Sequence, residues 1–327
     1  MTFEPAYLSL FRSGELARRA DALEARLAHC DICPRECGAM RLGFGRGHCN
    51  SGRLPIVASV CAHHGEEPAL SGTRGSGTIF FGNCNMRCVY CQNHQISQEP
   101  KLQQSNEVSC HDLAGHMLEL QHQGCHNINL VTPTHFVPQI VRALVEAAEK
   151  GLRLPLVYNT GGYDSLATLK MLDGIVDIYL PDLRYADDRL ARKYSHVRRY
   201  VEHNRAAIKE MYRQVGDLKT NEDGVAERGL IVRHLVLPNR IAGSEESLTW
   251  LAQEVSPTVT VSVMSQYFPA HRAGRHPELD RPITRAEYQE VVDLVNRLGL
   301  ENGWLQEMAA RGSYRPDFAR DGHPFEG

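Results

Sequence analysis

The chain has 327 residues, 42% of them hydrophobic and 23% charged. That is enough to bury one large core or two medium ones, in the composition of an ordinary globular protein. A net charge of -3 gives no reason to expect a nucleic-acid partner, and no run of about 18 apolar residues could span a bilayer. The opening "MTFEPAYLSLFRSGELARRA" lacks the basic-then-apolar order of a secretory signal, so a cytoplasmic protein is expected.

In chain order, leucines and alanines at helical spacing predict a helix over 14–29. Residues 30–77 are rich in Gly, Pro, Cys and His and read as a compact irregular region. Cys30, Cys33, Cys37 and Cys49 fall there, in two nearby pairs. In a reducing compartment such clusters are metal ligands more often than disulfides. Four thiolates suit tetrahedral zinc or an iron–sulfur cluster, and spacing does not separate the two. This site is expected to be independent of the cysteine group further on. "HHGEEP" at 63–68 reads either as a polar turn in solvent or as a group that recognises substrate or moves a proton.

From residue 78 apolar, β-branched runs alternate with helical patterns. Strands are predicted at 78–82, 127–132, 154–160, 175–180, 230–237 and 258–267, and helices near 108–123, 135–150, 164–172, 187–215, 243–254 and 284–298. Six buried strands separated by helices describe an α/β fold with a parallel sheet, whose ligands gather at the carboxyl ends of the strands. Three regions follow: a helix and Cys-rich extension over 1–77, the sheet over 78–270, and a helix and tail over 271–327. The last stretch, 312–327, is either a lid or a loose tail.

The first predicted strand runs directly into "CNMRCVYC". Cys84, Cys88 and Cys91 can hold three irons of a [4Fe–4S] cube and leave the fourth iron open. A zinc knuckle borrowing His94 is the other option that the spacing allows. Polar residues at the later strand exits are candidates for cofactor contacts: Thr132, Asn159, Asp182 and Gln266. In the fifth strand alternation points either His234 or Arg233 inward. Gly161 and Gly162 either admit a ligand close to the backbone or simply turn the chain. No catalytic residue stands out.

The CxxxCxxC spacing after the first strand of a βα array resembles the radical S-adenosylmethionine (radical SAM) superfamily. Together with "CDICPREC", "VTPTHF", "YNTGGY" and "LPDLRY" it resembles proteins related to the pyruvate formate-lyase activating enzyme, of the PflX type. The resemblance implies a partial (β/α)6 TIM-like barrel with a Cys-rich amino-terminal extension. It also implies a [4Fe–4S] cluster at Cys84, Cys88 and Cys91 and S-adenosyl-L-methionine on its open iron, with Tyr90 near the adenine. The cofactor-binding set expected on this basis is Tyr90, Thr132, Asn159, Asp182 and His234. The activity implied is reductive cleavage of S-adenosylmethionine to a 5'-deoxyadenosyl radical that abstracts hydrogen. The implied partners are a reducing electron donor such as flavodoxin or ferredoxin, and a glycyl radical enzyme if the protein is an activase. A small molecule, peptide or RNA is the alternative substrate, and a non-catalytic iron–sulfur electron carrier the alternative class. The glycine-rich GGE-like motif common after the family's second strand is missing, because that strand ends in "VTPTH".

Overall fold

A computed structural model describes residues 3–308, 316–318 and 324–325. Helices α1 (Tyr7–Arg12) and α2 (Glu15–Ala25) come first, and a 3-10 turn over Arg26–His29 ends the predicted amino-terminal helix. Strand β1 (Val57–His63), the short helix α3 (Pro68–Ser71) and β2 (Ser76–Phe81) follow. Then come α4 (His94–Ser97), α5 (Cys110–His122), β3 (Ile128–Val131), α6 (Val137–Glu149) and β4 (Leu156–Thr160). Beyond them lie α7 (Leu166–Met171), β5 (Ile178–Pro181), α8 (Asp188–Ser195), α9 (Tyr200–Val215), β6 (Lys219–Thr220) and β7 (Ala226–Leu235). The last elements are α10 (Ser244–Glu254), β8 (Thr260–Met264), α11 (Arg285–Leu298) and β9 (Gly303–Leu305).

The strands form one sheet in the order β1-β2-β3-β4-β5-β7-β8-β9, with β6 paired to β7 outside that path. From β2 to β9 the neighbours are parallel, while β1 lies antiparallel to β2. The sheet does not close. Its α/β parallel architecture agrees with the sequence, and β2, β3 and β4 are buried at every position, as a sheet covered on both faces requires. Three strands were not anticipated: β1 lies inside the stretch read as irregular, β9 inside the stretch read as helix and tail, and the two-residue β6 between the helix expected over 187–215 and the strand expected over 230–237. The sheet thus extends beyond 78–270 at both edges. One helix expected over 187–215 is two, because His196 and Arg199 adopt left-handed backbone (φ 55° and 52°) between α8 and α9.

The amino-terminal helices brace the far end of the strands from the cysteine loop. The buried Asp177 carboxylate accepts the backbone N–H of Ala6 at 2.8 Å and of Leu156 at 3.0 Å, which fixes α1 below β4 and β5. Helix α6 turns Val137, Ile140, Val141 and Leu144 inward, and α2 and α5 pack beside it. No helix among the described residues is long and apolar enough to cross a membrane. Of the stretch over 312–327, read as a lid or a loose tail, only residues 316–318 and 324–325 are described; there Phe325 packs on His63, ring centroids 4.1 Å apart, and Phe318 on Phe80 at 5.2 Å.

Candidate active site

Strand β2 delivers the chain to the cysteine loop through Gly82 and Asn83. A side chain at Gly82 would come within 2.4 Å of Ile56, and Asn83 turns the backbone left-handed (φ 64°). The Asn83 N–H donates to the Ile96 carbonyl at 2.7 Å and closes the loop on itself. Neighbours then clamp it. Arg87 N–H donates to the Ser195 carbonyl at 3.1 Å, Val89 N–H to that of Tyr194 at 2.8 Å, and Arg272 N–H to that of Val89 at 2.8 Å. Gln98 Nε2 donates to the Cys88 carbonyl and Asn85 Nδ2 to the Tyr163 carbonyl, both at 2.8 Å.

Each sulfur in the loop has a hydrogen-bonding neighbour. Met86 N–H donates to Cys84 Sγ at 3.3 Å, the Ser195 hydroxyl donates to Cys88 Sγ at 3.0 Å, and Cys91 Sγ lies 3.2 Å from Ser97 Oγ. Burial, with Cys88 close by, pushes the thiols of Cys84 and Cys91 up from the ordinary range. Tyr90 is buried, its hydroxyl 2.5 Å from that of Tyr185, which lies 2.7 Å from Ser195 Oγ and so reaches Cys88 through hydroxyls alone.

The three cysteines and Tyr90 open onto a cavity of about 550 Å³ that Thr132, Asn159, Asp182 and Gln266 also line. It contains a charged floor. Arg233 donates from Nε to Asp182 at 2.9 Å and from a terminal nitrogen to Asn159 Oδ1 at 2.6 Å, and lies 3.8 Å from Glu66. Arg184 donates to the other Asp182 oxygen at 2.5 Å. Glu66 and Glu67 border the same space. Burial raises both carboxyls above the carboxylate range, Glu67 to about 7, although Arg233 pulls them down. "HHGEEP" is therefore a cavity wall at its two glutamates, not a turn in solvent.

His234 does not reach the cavity. Alternation along β7 turns it outward, where its ring nitrogens lie 2.8 Å from the Leu183 carbonyl and 2.9 Å from Ser244 Oγ. It is fully buried, and burial lowers its pKa to about 4. His234, expected at the cofactor site, thus lies outside the cavity, which its neighbour Arg233 lines instead. Of the paired glycines, Gly161 borders the cavity, whereas a side chain at Gly162 (φ 75°) would meet Asn204 Nδ2 at 2.2 Å, so close helix packing explains it.

Residues 78–225 match the family model described as the radical SAM superfamily. That stretch is similar to radical SAM domains. An uncharacterized protein of Methanocaldococcus jannaschii is 26% identical over 278 residues, which are 84% of this chain and 76% of that protein. Among solved structures, the FeFe-hydrogenase maturase HydG of Carboxydothermus hydrogenoformans superposes with a TM-score of 0.46 at 13% identity, covering 70% of this chain and 53% of its own. Methylornithine synthase (PylB) gives 0.43 at 14% identity, covering 99% and 87%. The chain spans about half the length of the maturase structures.

A radical SAM domain works with a [4Fe–4S] cluster and S-adenosylmethionine, and the residues present suit both. Three thiolates on one loop can hold three irons of a cube and leave the fourth open to a ligand. Two polar atoms in the cavity, Arg184 Nε and Glu67 Oε2, are buried and make no hydrogen bond. A ligand with both a carboxylate and an ammonium group would satisfy one of each.

The amino-terminal cysteines lie beside this loop. Cys30, Cys33 and Cys49 are buried and Cys37 is exposed. Burial raises the Cys33 thiol to about 12, with Cys49, Cys30 and Cys37 adding to the effect. A side chain at Gly47 would sit 3.2 Å from Cys49 Sγ and 3.4 Å from Cys37 Sγ. Three hydrogen bonds tie this segment to the radical SAM loop: Arg35 Nε to the Asn85 carbonyl (2.9 Å), Arg87 to the His48 carbonyl (2.7 Å) and Asn83 Nδ2 to the Asn50 carbonyl (3.3 Å).

Proposed function

We propose that the protein is a radical SAM enzyme acting on a small polar substrate within the β2–β8 cavity. Cys84, Cys88 and Cys91 would hold the cluster, and Tyr90, Thr132, Asn159, Asp182 and Arg184 would border S-adenosylmethionine. When bound, the pair supplies one-electron reductive cleavage of the sulfonium to methionine and a 5'-deoxyadenosyl radical. The protein's part is to position and enclose. Arg184 offers a buried guanidinium N–H to a carboxylate, Asp182 holds Arg184 and Arg233 in place, and the Tyr90–Tyr185–Ser195 hydroxyls fix the wall beside Cys88. Cys30, Cys33, Cys37 and Cys49 would bind a second metal, zinc or iron–sulfur, that stiffens the loop from outside.

One observation supports a small polar substrate over a glycyl radical enzyme. The cavity sets three carboxylates (Glu66, Glu67 and Asp182) against two guanidiniums (Arg184 and Arg233). A small ligand carrying polar and charged groups would bond to this floor, whereas a neutral glycine-bearing loop would offer it few partners. An electron carrier would have no use for such a floor. Anaerobically reconstituted protein, given dithionite and S-adenosylmethionine, should form 5'-deoxyadenosine and methionine. Cluster-loaded protein that forms neither removes the proposal.

A further inference from the structure

Helix α8 and the cysteine loop complete each other's hydrogen bonding. The last carbonyls of a helix have no partner inside it. At the end of α8, those of Tyr194 and Ser195 accept the N–H groups of Val89 at 2.8 Å and Arg87 at 3.1 Å. These two residues flank Cys88, so the middle cysteine of the loop is held over the last residue of α8. His196 then turns left-handed (φ 55°) and ends the helix there. The Ser195 hydroxyl is thereby brought to 3.0 Å from Cys88 Sγ.

Two phenols stand behind that hydroxyl. Tyr185 Oη lies 2.7 Å from Ser195 Oγ, and Tyr90 Oη lies 2.5 Å from Tyr185 Oη. Packing fixes both rings: Tyr185 meets Tyr200 edge-on at 5.5 Å, and Tyr90 meets Tyr267 at 5.8 Å. Ser195, Tyr185 and Tyr90 are 0%, 1% and 3% exposed, so water does not compete for these bonds. The donor directions follow from one constraint. A cysteine sulfur that binds iron carries no proton, so Ser195 donates to Cys88. A hydroxyl has a single proton to give, so Ser195 accepts from Tyr185, and Tyr185 from Tyr90. All three O–H bonds point toward the sulfur, and each polarises the next in a site of low dielectric. Cys84 and Cys91 differ. Among the described residues no second hydroxyl stands behind Met86 N–H at Cys84 or Ser97 Oγ at Cys91.

We infer that Ser195, Tyr185 and Tyr90 are positioning residues that set the reduction potential of the cluster through Cys88. The inference rests on the radical SAM reading of Cys84, Cys88 and Cys91, and adds to it two residues from outside the cysteine loop. In reduction one electron passes from the reductant to the cluster, no bond forms or breaks, and the hydroxyl protons stay in place. The added charge is shared with the cluster's sulfurs. A donor aimed at Cys88 Sγ therefore stabilises the reduced form more than the oxidised one and raises the potential. Tyr185 and Tyr90 act through Ser195, by strengthening its hydrogen bond to the sulfur.

The test is a redox titration of anaerobically reconstituted protein with dithionite and mediators, read by electron paramagnetic resonance on the signal that responds to S-adenosylmethionine. Ser195→Ala should move the one-electron equilibrium about tenfold toward the oxidised cluster, a fall of about 59 mV. Tyr185→Phe keeps the ring and leaves the bond between Ser195 and Cys88. It should move the equilibrium about threefold in the same direction. Iron content should match the wild type in both variants. A wild-type potential in Tyr185→Phe overturns the proposal, because the phenols then add nothing. Ser195→Ala protein that loses iron, while the remaining signal keeps its potential, overturns it as well and makes the hydroxyl a structural prop. A wild type with no signal responsive to S-adenosylmethionine overturns the radical SAM reading before any variant is compared, and this proposal with it.

Discussion

Arg233→Met tests whether the charges in the cavity stabilise one another. The substitution keeps an apolar stem and removes the guanidinium, and with it the bonds to Asp182 (2.9 Å) and Asn159 (2.6 Å) and the closer approach to Glu66. Arg233, Asp182 and Glu66 side chains are 16%, 8% and 10% exposed, so solvent screens them little. Removing one member of a buried pair costs about 3–5 kcal/mol. Arg184 still holds Asp182, which places the expected loss at the lower end, about 3 kcal/mol, or roughly a 4 °C fall in Tm for a chain of this size. The loss should depend on pH. Burial already raises the Glu66 and Glu67 carboxyls above their ordinary 4.5, Glu67 to about 7, and Arg233 restrains both. A carboxyl with a raised folded pKa leaves stability intact below its unfolded value and erodes it as pH rises to the folded one. Without Arg233 that erosion deepens, so the deficit should be smaller at pH 5, where only the bonds to Asp182 and Asn159 are lost, and full by pH 8. Thermal melts of both proteins from pH 5 to pH 9 measure this. An equal deficit at pH 5 and pH 8, or one under about 1 kcal/mol at pH 8, refutes the reasoning.

His234→Ala removes two buried hydrogen-bonding contacts and should cost about 2 kcal/mol by chemical denaturation, with S-adenosylmethionine affinity unchanged; weaker affinity would return His234 to the cofactor site. Asp182→Ala should weaken S-adenosylmethionine binding about tenfold in calorimetry and also lower Tm, because it releases both Arg184 and Arg233. Asp164 accepts hydroxyls from Thr134, Tyr158 and Thr160 at 2.7–2.9 Å, so Asp164→Ala should cost roughly 3 kcal/mol while iron content per folded protein stays normal. Cys30→Ser with Cys33→Ser should lower iron at the radical SAM loop even in folded protein, because three hydrogen bonds couple the segments; full iron loading there would show that the clasp carries no energy.

The parallel sheet was legible because its strands are near-continuous apolar runs, and the cysteine loop because its spacing follows such a run directly. Strand β1 was hidden by its setting. "IVASVCAHH" is β-branched at its start, but Gly, Pro and Cys surround it, and its partner β2 is antiparallel at the sheet edge. The break at His196 and Arg199 carries no glycine or proline to mark it. In the cavity, Asn159 and Asp182 could be placed from strand exits alone. Arg233 against His234 could not, because alternation gives two faces without saying which is inside. Arg184 and the inward turn of Glu66 and Glu67 depend on contacts across β4, β5 and β7, which no local pattern encodes.

Cys84, Cys88 and Cys91 would hold a cluster with one open iron beside a cavity that accepts S-adenosylmethionine. Electron paramagnetic resonance of the dithionite-reduced wild-type protein, with and without S-adenosylmethionine and beside Cys88→Ala, tests this most directly. A [4Fe–4S] spectrum whose g values shift on adding S-adenosylmethionine, and which is lost in Cys88→Ala, is the predicted result. A spectrum that ignores S-adenosylmethionine, or that survives Cys88→Ala unchanged, contradicts it.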